Sequence, residues 1–203
     1  MASVLKFDEL NRLEYQRMFN DCEAQIRKVW YEHIGMDDLA RTLEDTLYDL
    51  LLFAYSLGIT DTDTDLSAER ALSGSKLTSG FREDTNHKTA GKTTHDRIVD
   101  HVKENSLPRM LTLADTELHR AYSAGSIREA DAVQKKTGNG VRKVWHTMED
   151  ERVRDTHEFL DLTEVPLDYE FWTYGGDSAL APGMFAKAEN NVNCRCWLTY
   201  RYE

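Results

Sequence analysis

The sequence predicts an α+β fold, with a helical hairpin and further helices leading into a small C-terminal module of short antiparallel strands. Three observations predict it. Apolar residues recur three or four apart in segments between residues 7 and 137, the pattern changes to strict alternation at "VRKVWHTM", and "NCRCWLTYRY" alternates again at the end.

The first helix runs from Phe7 to Ile34, where Tyr15, Phe19, Cys22, Ile26 and Val29 form an amphipathic stripe that Gly35 stops. A second follows from Asp38 to Leu57, with Leu39, Leu43, Leu47, Leu50 and Ala54 on its apolar face and Gly58 after its end. The short connection makes residues 1–58 an antiparallel hairpin, read as a partner-docking segment. Residues 59–105 form a linker and a helix, and residues 106–203 a separate domain.

The linker holds two decoys. Asp61, Asp63 and Asp65 imitate the start of a calcium loop, but Leu66 and Leu72 stand where an EF-hand needs glycine and glutamate. Gly91, Lys92 and Thr93 imitate the end of a phosphate loop, but Asn86 replaces the earlier glycine and no strand precedes it. A helix is expected from His95 to Glu104 and another from Leu107 to Tyr122, with Pro108 in its first turn. Ser126 and Glu129 then read as a capping box opening one more helix, which Gly138 ends.

After the Asn139-Gly140 turn, Val141, Lys143 and Trp145 alternate with Arg142, Val144 and His146 in a strand. In "EDERVRDTHEFLD" a helix would align Asp150, Arg154 and His157 on one face, as an ion pair leading to an imidazole. In a terminal strand Cys194, Cys196, Leu198, Tyr200 and Tyr202 share one side and Arg195, Trp197, Thr199 and Arg201 the other.

The net charge of −11 argues against a surface that coats nucleic acid. Lys135, Lys136, Arg142 and Lys143 are the one local cluster suited to phosphate contacts, and a solvated turn is the plainer reading. "MASVLKFDEL" lacks the apolar core of a signal peptide and no apolar run is long enough for a membrane span, so a cytosolic chain with reduced thiols is expected.

The cysteine pair has three readings. Two small thiols can simply join a buried strand face. Zinc can take Cys194, Cys196 and His157, with Asp150 or Asp155 completing the set. A thiol nucleophile with His157 as base lacks an evident oxyanion site. No other cofactor is expected.

The order "LADTELHRAY", "KVWHTMEDERVRDTHEFLD", "APG" and "NCRC" resembles the phage Mu F-like head morphogenesis family, the minor head or minor capsid proteins of tailed phages. Trp145, Asp150, Arg152, Arg154, His157, Asn193, Cys194 and Cys196 carry the match; Leu162 departs from it, standing where a glycine is expected. The resemblance implies a virion component, present in the host cytoplasm during assembly, that associates with the portal or capsid interior and lies near packaged DNA. It implies no enzymatic step. Aromatic contacts would come from Trp30, Tyr31, Trp172 or Tyr174. The competing hypothesis is a small zinc-dependent enzyme or toxin-like domain acting on nucleic acid or nucleotides.

Overall fold

The computed structural model describes residues 2–32, 35–62, 81, 88 and 91–202; for residues 2–15, 37, 60–62 and 202 it describes the backbone alone. Asp63 and Asp65 of the calcium-like stretch, and Asn86, lie outside the described residues.

Among the described residues, the first part contains the helices α1 (Ala2–Glu32), α2 (Met36–Thr62), α3 (Thr94–Lys103) and α4 (Leu107–Thr137). The second part contains β1 (Val141–His146), α5 (Asp155–Glu158), β2 (Glu164–Pro166), β3 (Phe171–Trp172), β4 (Ser178–Ala179), α6 (Ala188–Asn191) and β5 (Trp197–Tyr202). The strands form an antiparallel sheet of order β2-β1-β5 and a separate β3-β4 pair. This is the expected α+β architecture.

The apolar stripes behave as their period requires. Cys22 and Ile26 of α1, Leu43, Leu47 and Ala54 of α2, Ile98 of α3 and Met110, Ala114 and Leu118 of α4 share one buried cluster. At its centre α2 and α4 cross with backbone against backbone: a Cβ on Gly58 would lie 2.0 Å from Tyr122 O, and one on Gly125 2.0 Å from Tyr55 O. Gly58 therefore does not stop α2, which continues to Thr62; it is there because the crossing admits no side chain.

Packing runs across the expected segment limits at residues 58 and 105. The cluster draws on residues before 58, between 59 and 105, and from Leu107 to Ala124, so the hairpin's apolar face is already covered by α4. The changeover to the second part falls inside α4, beyond Ala124. Its end packs through Ala130 and Ile127 on Val141, Leu167 and Tyr200 of the strand module.

One helix start expected from sequence is not formed. The expected break at residue 126 is absent: α4 is continuous to Thr137, and Ser126 and Glu129 are buried on its flank. Ser126 Oγ donates to Tyr200 Oη at 2.7 Å instead of capping a helix. Tertiary contact thus supplies the partner that a cap would have supplied. Gly138, at φ 73°, ends α4 as expected. The phosphate-loop decoy is the start of α3: Thr93 forms a reciprocal capping box with Asp96, and Lys92 pairs with Asp100.

The phosphate-contact cluster does not assemble on one face. Lys143 is fully buried, donates from Nζ to Leu180 O at 2.8 Å and faces the Phe171 ring. Burial lowers its pKa to about 8. Lys135 pairs with Asp131 and Arg142 with Glu164, while Lys136 is exposed. Among the described residues no helix is long and apolar enough to cross a membrane.

Candidate functional site

The motifs separated along the sequence meet around His157. α5 is a single turn, entered through Arg154 in extended conformation, and it carries His157 into the interior. The loop before β5 brings both thiols to the same ring nitrogen: Cys194 Sγ lies 3.6 Å and Cys196 Sγ 3.5 Å from His157 Nδ1. All three side chains are buried, none more than 6% exposed. The two cysteines precede the terminal strand, yet they keep the common side that alternation assigns them, with half-buried Arg195 between them.

Aromatic rings fix the imidazole. Trp145 of β1 meets it edge-on at 5.6 Å, and Phe185 stacks on it at 5.3 Å. Trp145 also packs on Phe171 at 5.1 Å, which closes a small core over the site. His157 Nε2 is buried without a hydrogen-bond partner.

The two thiols titrate as a pair. Hydrogen bonding from Cys196, and from His119 and His157, holds Cys194 well below the usual thiol range despite its burial. Cys196 moves up, because a thiolate at Cys194 and burial both oppose its ionisation. Cys22, buried in the helical core, is instead pushed up to about 12 by desolvation.

Polar anchors hold the loop. Asn191 accepts from Phe185 N at 2.9 Å and donates to Phe185 O at 2.7 Å; Asn190 donates to buried Asp177 at 2.7 Å. Asn193 turns the chain at φ 55°, a conformation asparagine tolerates better than most residues. Arg154 donates to Val192 O, and Asp150 takes both Arg195 nitrogens at 2.8 and 2.5 Å. That guanidinium lowers the Asp150 pKa to about 2.

The expected single helix face of Asp150, Arg154 and His157 is therefore not formed. Asp150 precedes the short helix and accepts from Arg152 N at 3.1 Å, while its charge partner comes from the far end of the module. Among the described residues neither Asp150 nor Asp155 joins the cluster of His157, Cys194 and Cys196, whose ligand atoms lie within 4.8 Å of one another.

His119 was quoted within a motif but assigned no role. It is buried on α4, helps to lower the Cys194 pKa, and abuts the "APG" turn so closely that a Cβ on Gly183 would stand 2.9 Å from its ring. Its signal in the sequence is a histidine beside Leu118 on an apolar helix face. Leu162, the departure from the resembled pattern, adopts φ 58°, the left-handed conformation that glycine favours. The expected aromatic contacts divide: Trp30 packs against the helical core, whereas Tyr31, Trp172 and Tyr174 are exposed.

A cavity of about 210 Å³ adjoins Cys194 between α1, α4 and the loop; Phe19, Asp115, Arg152 and Trp197 contribute walls. Burial, then the Glu23 charge, raises Asp115 there to about 6.

Comparison with known proteins gives a family and two relatives. The family described as "Phage Mu protein F like protein" matches residues 74–199. The chain is 37% identical over 100 residues to the NAD(+)--arginine ADP-ribosyltransferase EFV of Enterococcus faecalis, covering 49% of this chain and 20% of that protein. It is 35% identical over 95 residues to the minor head protein GP7 of Bacillus phage SPP1, covering 47% of this chain and 30% of that protein. The chain thus spans less than a third of either relative's length. No solved structure matches.

Proposed function

The chain belongs to the phage Mu protein F like family, and from that premise we propose that it is a structural component of head morphogenesis in a tailed phage, associated with the portal or the capsid interior. The observation that carries the reading is the family match over residues 74–199, together with the similarity to a minor head protein. The geometry supports a structural use of the motif: its histidine and thiols are buried and face one another, and its arginines tie loops to carboxylates or carbonyls.

The second relative favours another reading, a transferase acting on arginine with NAD. The shared segment is only 20% of that protein, and a segment of similar size is shared with a minor head protein. Similarity confined to a fifth of that protein does not carry its named activity to this chain. Incubation of the chain with NAD and an arginine-bearing acceptor should give no transfer.

Partner contacts are assigned to exposed aromatics on the C-terminal module. Phe159 and Tyr174 pack edge-to-face at 6.0 Å, and both are exposed, as are Tyr169 and Trp172. Docking through the hairpin of residues 1–58 stays the alternative, although Leu43, Leu47 and Ala54 of its apolar stripe pack in the helical core. Replacing Trp172 and Tyr174 with Asp should weaken recruitment to assembling heads while leaving the chain folded.

Quantitative mass spectrometry of purified particles and empty heads tests the role itself. A few to a few tens of copies per particle, as expected for a component matched to a cyclic ring, supports it. Absence from particles and from assembly intermediates would refute it.

A further inference from the structure

The cluster around His157 has the dimensions of a metal site. A tetrahedral zinc with Zn–S of about 2.3 Å and Zn–N of about 2.0–2.1 Å separates a sulfur from a nitrogen ligand by about 3.6 Å. The two sulfur-to-nitrogen distances here are 3.6 and 3.5 Å. A single nitrogen faces both sulfurs, so one ion could satisfy all three atoms with little movement.

The surroundings suit such an ion. Trp145, Phe171 and Phe185 form an aromatic shell, and the cavity beside Cys194 offers a path of entry. We propose that His157, Cys194 and Cys196 bind a zinc ion that braces the C-terminal module. The assignment does not depend on the role in head assembly.

The carboxylates suggested by the sequence are not needed, since Asp150 is engaged by Arg195. Nor is Cys22, which lies in the separate helical cluster and provides an internal control. Two thiolates and one imidazole supply three donors and leave the fourth position of a tetrahedral zinc to water or to a donor outside the cluster.

The test uses the full chain without a polyhistidine tag, expressed with added zinc and analysed for metal by inductively coupled plasma mass spectrometry. One zinc per chain is expected in the native protein and in Cys22→Ser, falling at least tenfold in Cys194→Ser, Cys196→Ser and His157→Ala. Because the ligand variants can fail to fold, cobalt(II) titration of the metal-free native chain provides an independent readout. A saturable thiolate-to-cobalt absorption at one equivalent, retained in Cys22→Ser, supports the site. A folded native chain that takes up neither metal, and whose Cys194 is alkylated by iodoacetamide at the same rate with and without zinc, would overturn it.

Discussion

The helical core gathers twenty described residues, from Met18 to Ala124, into one apolar cluster, while the core around Trp145 gathers seven, two of them cysteines. The first is held by area and steric fit. Its helices meet so closely at Gly58 and Gly125 that backbone touches backbone. The second has strands of two to six residues and relies on directional contacts: the Asn191 and Asp177 anchors, the Asp150–Arg195 pair and the thiol–imidazole cluster. Apolar burial scales with size, so a small module gains proportionally more from cross-links and polar anchors than a helical bundle does.

The sharpest way to break this contrast is Gly125→Ala. A Cβ placed 2.0 Å from Tyr55 O cannot be absorbed by a side-chain rotation, so α2 and α4 must separate. A loss of more than about 5 kcal/mol, at the extreme of single substitutions, is expected in chemical denaturation, with both regions unfolding because α4 serves both. A loss under 1 kcal/mol would show that the crossing is not tightly packed.

Trp145→Ala should cost about 3–5 kcal/mol and act locally. Hydrogen exchange should rise across β1, α5 and the Cys194–Cys196 loop while α1 and α2 keep their protection. Uniform loss of protection would mean that the two regions fold as one unit.

Asp115→Asn sharpens the comparison from the helical side. The carboxyl is raised to about 6 by desolvation and Glu23, so its ionised form is disfavoured in the folded state. Ionisation then costs stability as pH rises from about 4, the unfolded value, through 6. The variant should gain about 1–2 kcal/mol at pH 7, allowing for solvent screening, and nothing near pH 3. Thermal melts at the two pH values check this.

Leu162→Gly should stabilise the module by about 0.5–1 kcal/mol, since relief of the left-handed backbone exceeds the added freedom of the unfolded chain. The smallest expected effect is at Asp150. Its pKa is depressed to about 2 by Arg195, so its contribution is complete above about 4 and disappears as pH falls toward 2. Asp150→Asn should remove that part of the acid limb of the stability curve and raise hydrogen exchange at Asn193 and Arg195.

The sequence was legible where structure follows local periodicity. The stripe of Leu43, Leu47 and Ala54, the alternation of Val141, Lys143 and Trp145, and the Gly138 terminus stand as expected. Local signals misled where distant partners competed for them. Ser126 resembled a cap but bonds Tyr200, Gly58 resembled a stop but admits Tyr122, and Lys143 resembled a surface cation but bonds Leu180. Asp150 and Arg154 have helical spacing, yet Arg195 and Val192 O offer stronger engagements than they could give one another.

By itself, then, the sequence determined the α+β class, most of the helices and the residue types of the His157–Cys194–Cys196 cluster, because 3.6- and 2-residue periods and motif chemistry are local properties. Tertiary structure alone decided that His119 belongs beside that cluster, that α4 runs unbroken between two cores, and which charges pair. Those outcomes depend on contacts between segments 20 to 80 residues apart, whose energies no local window contains.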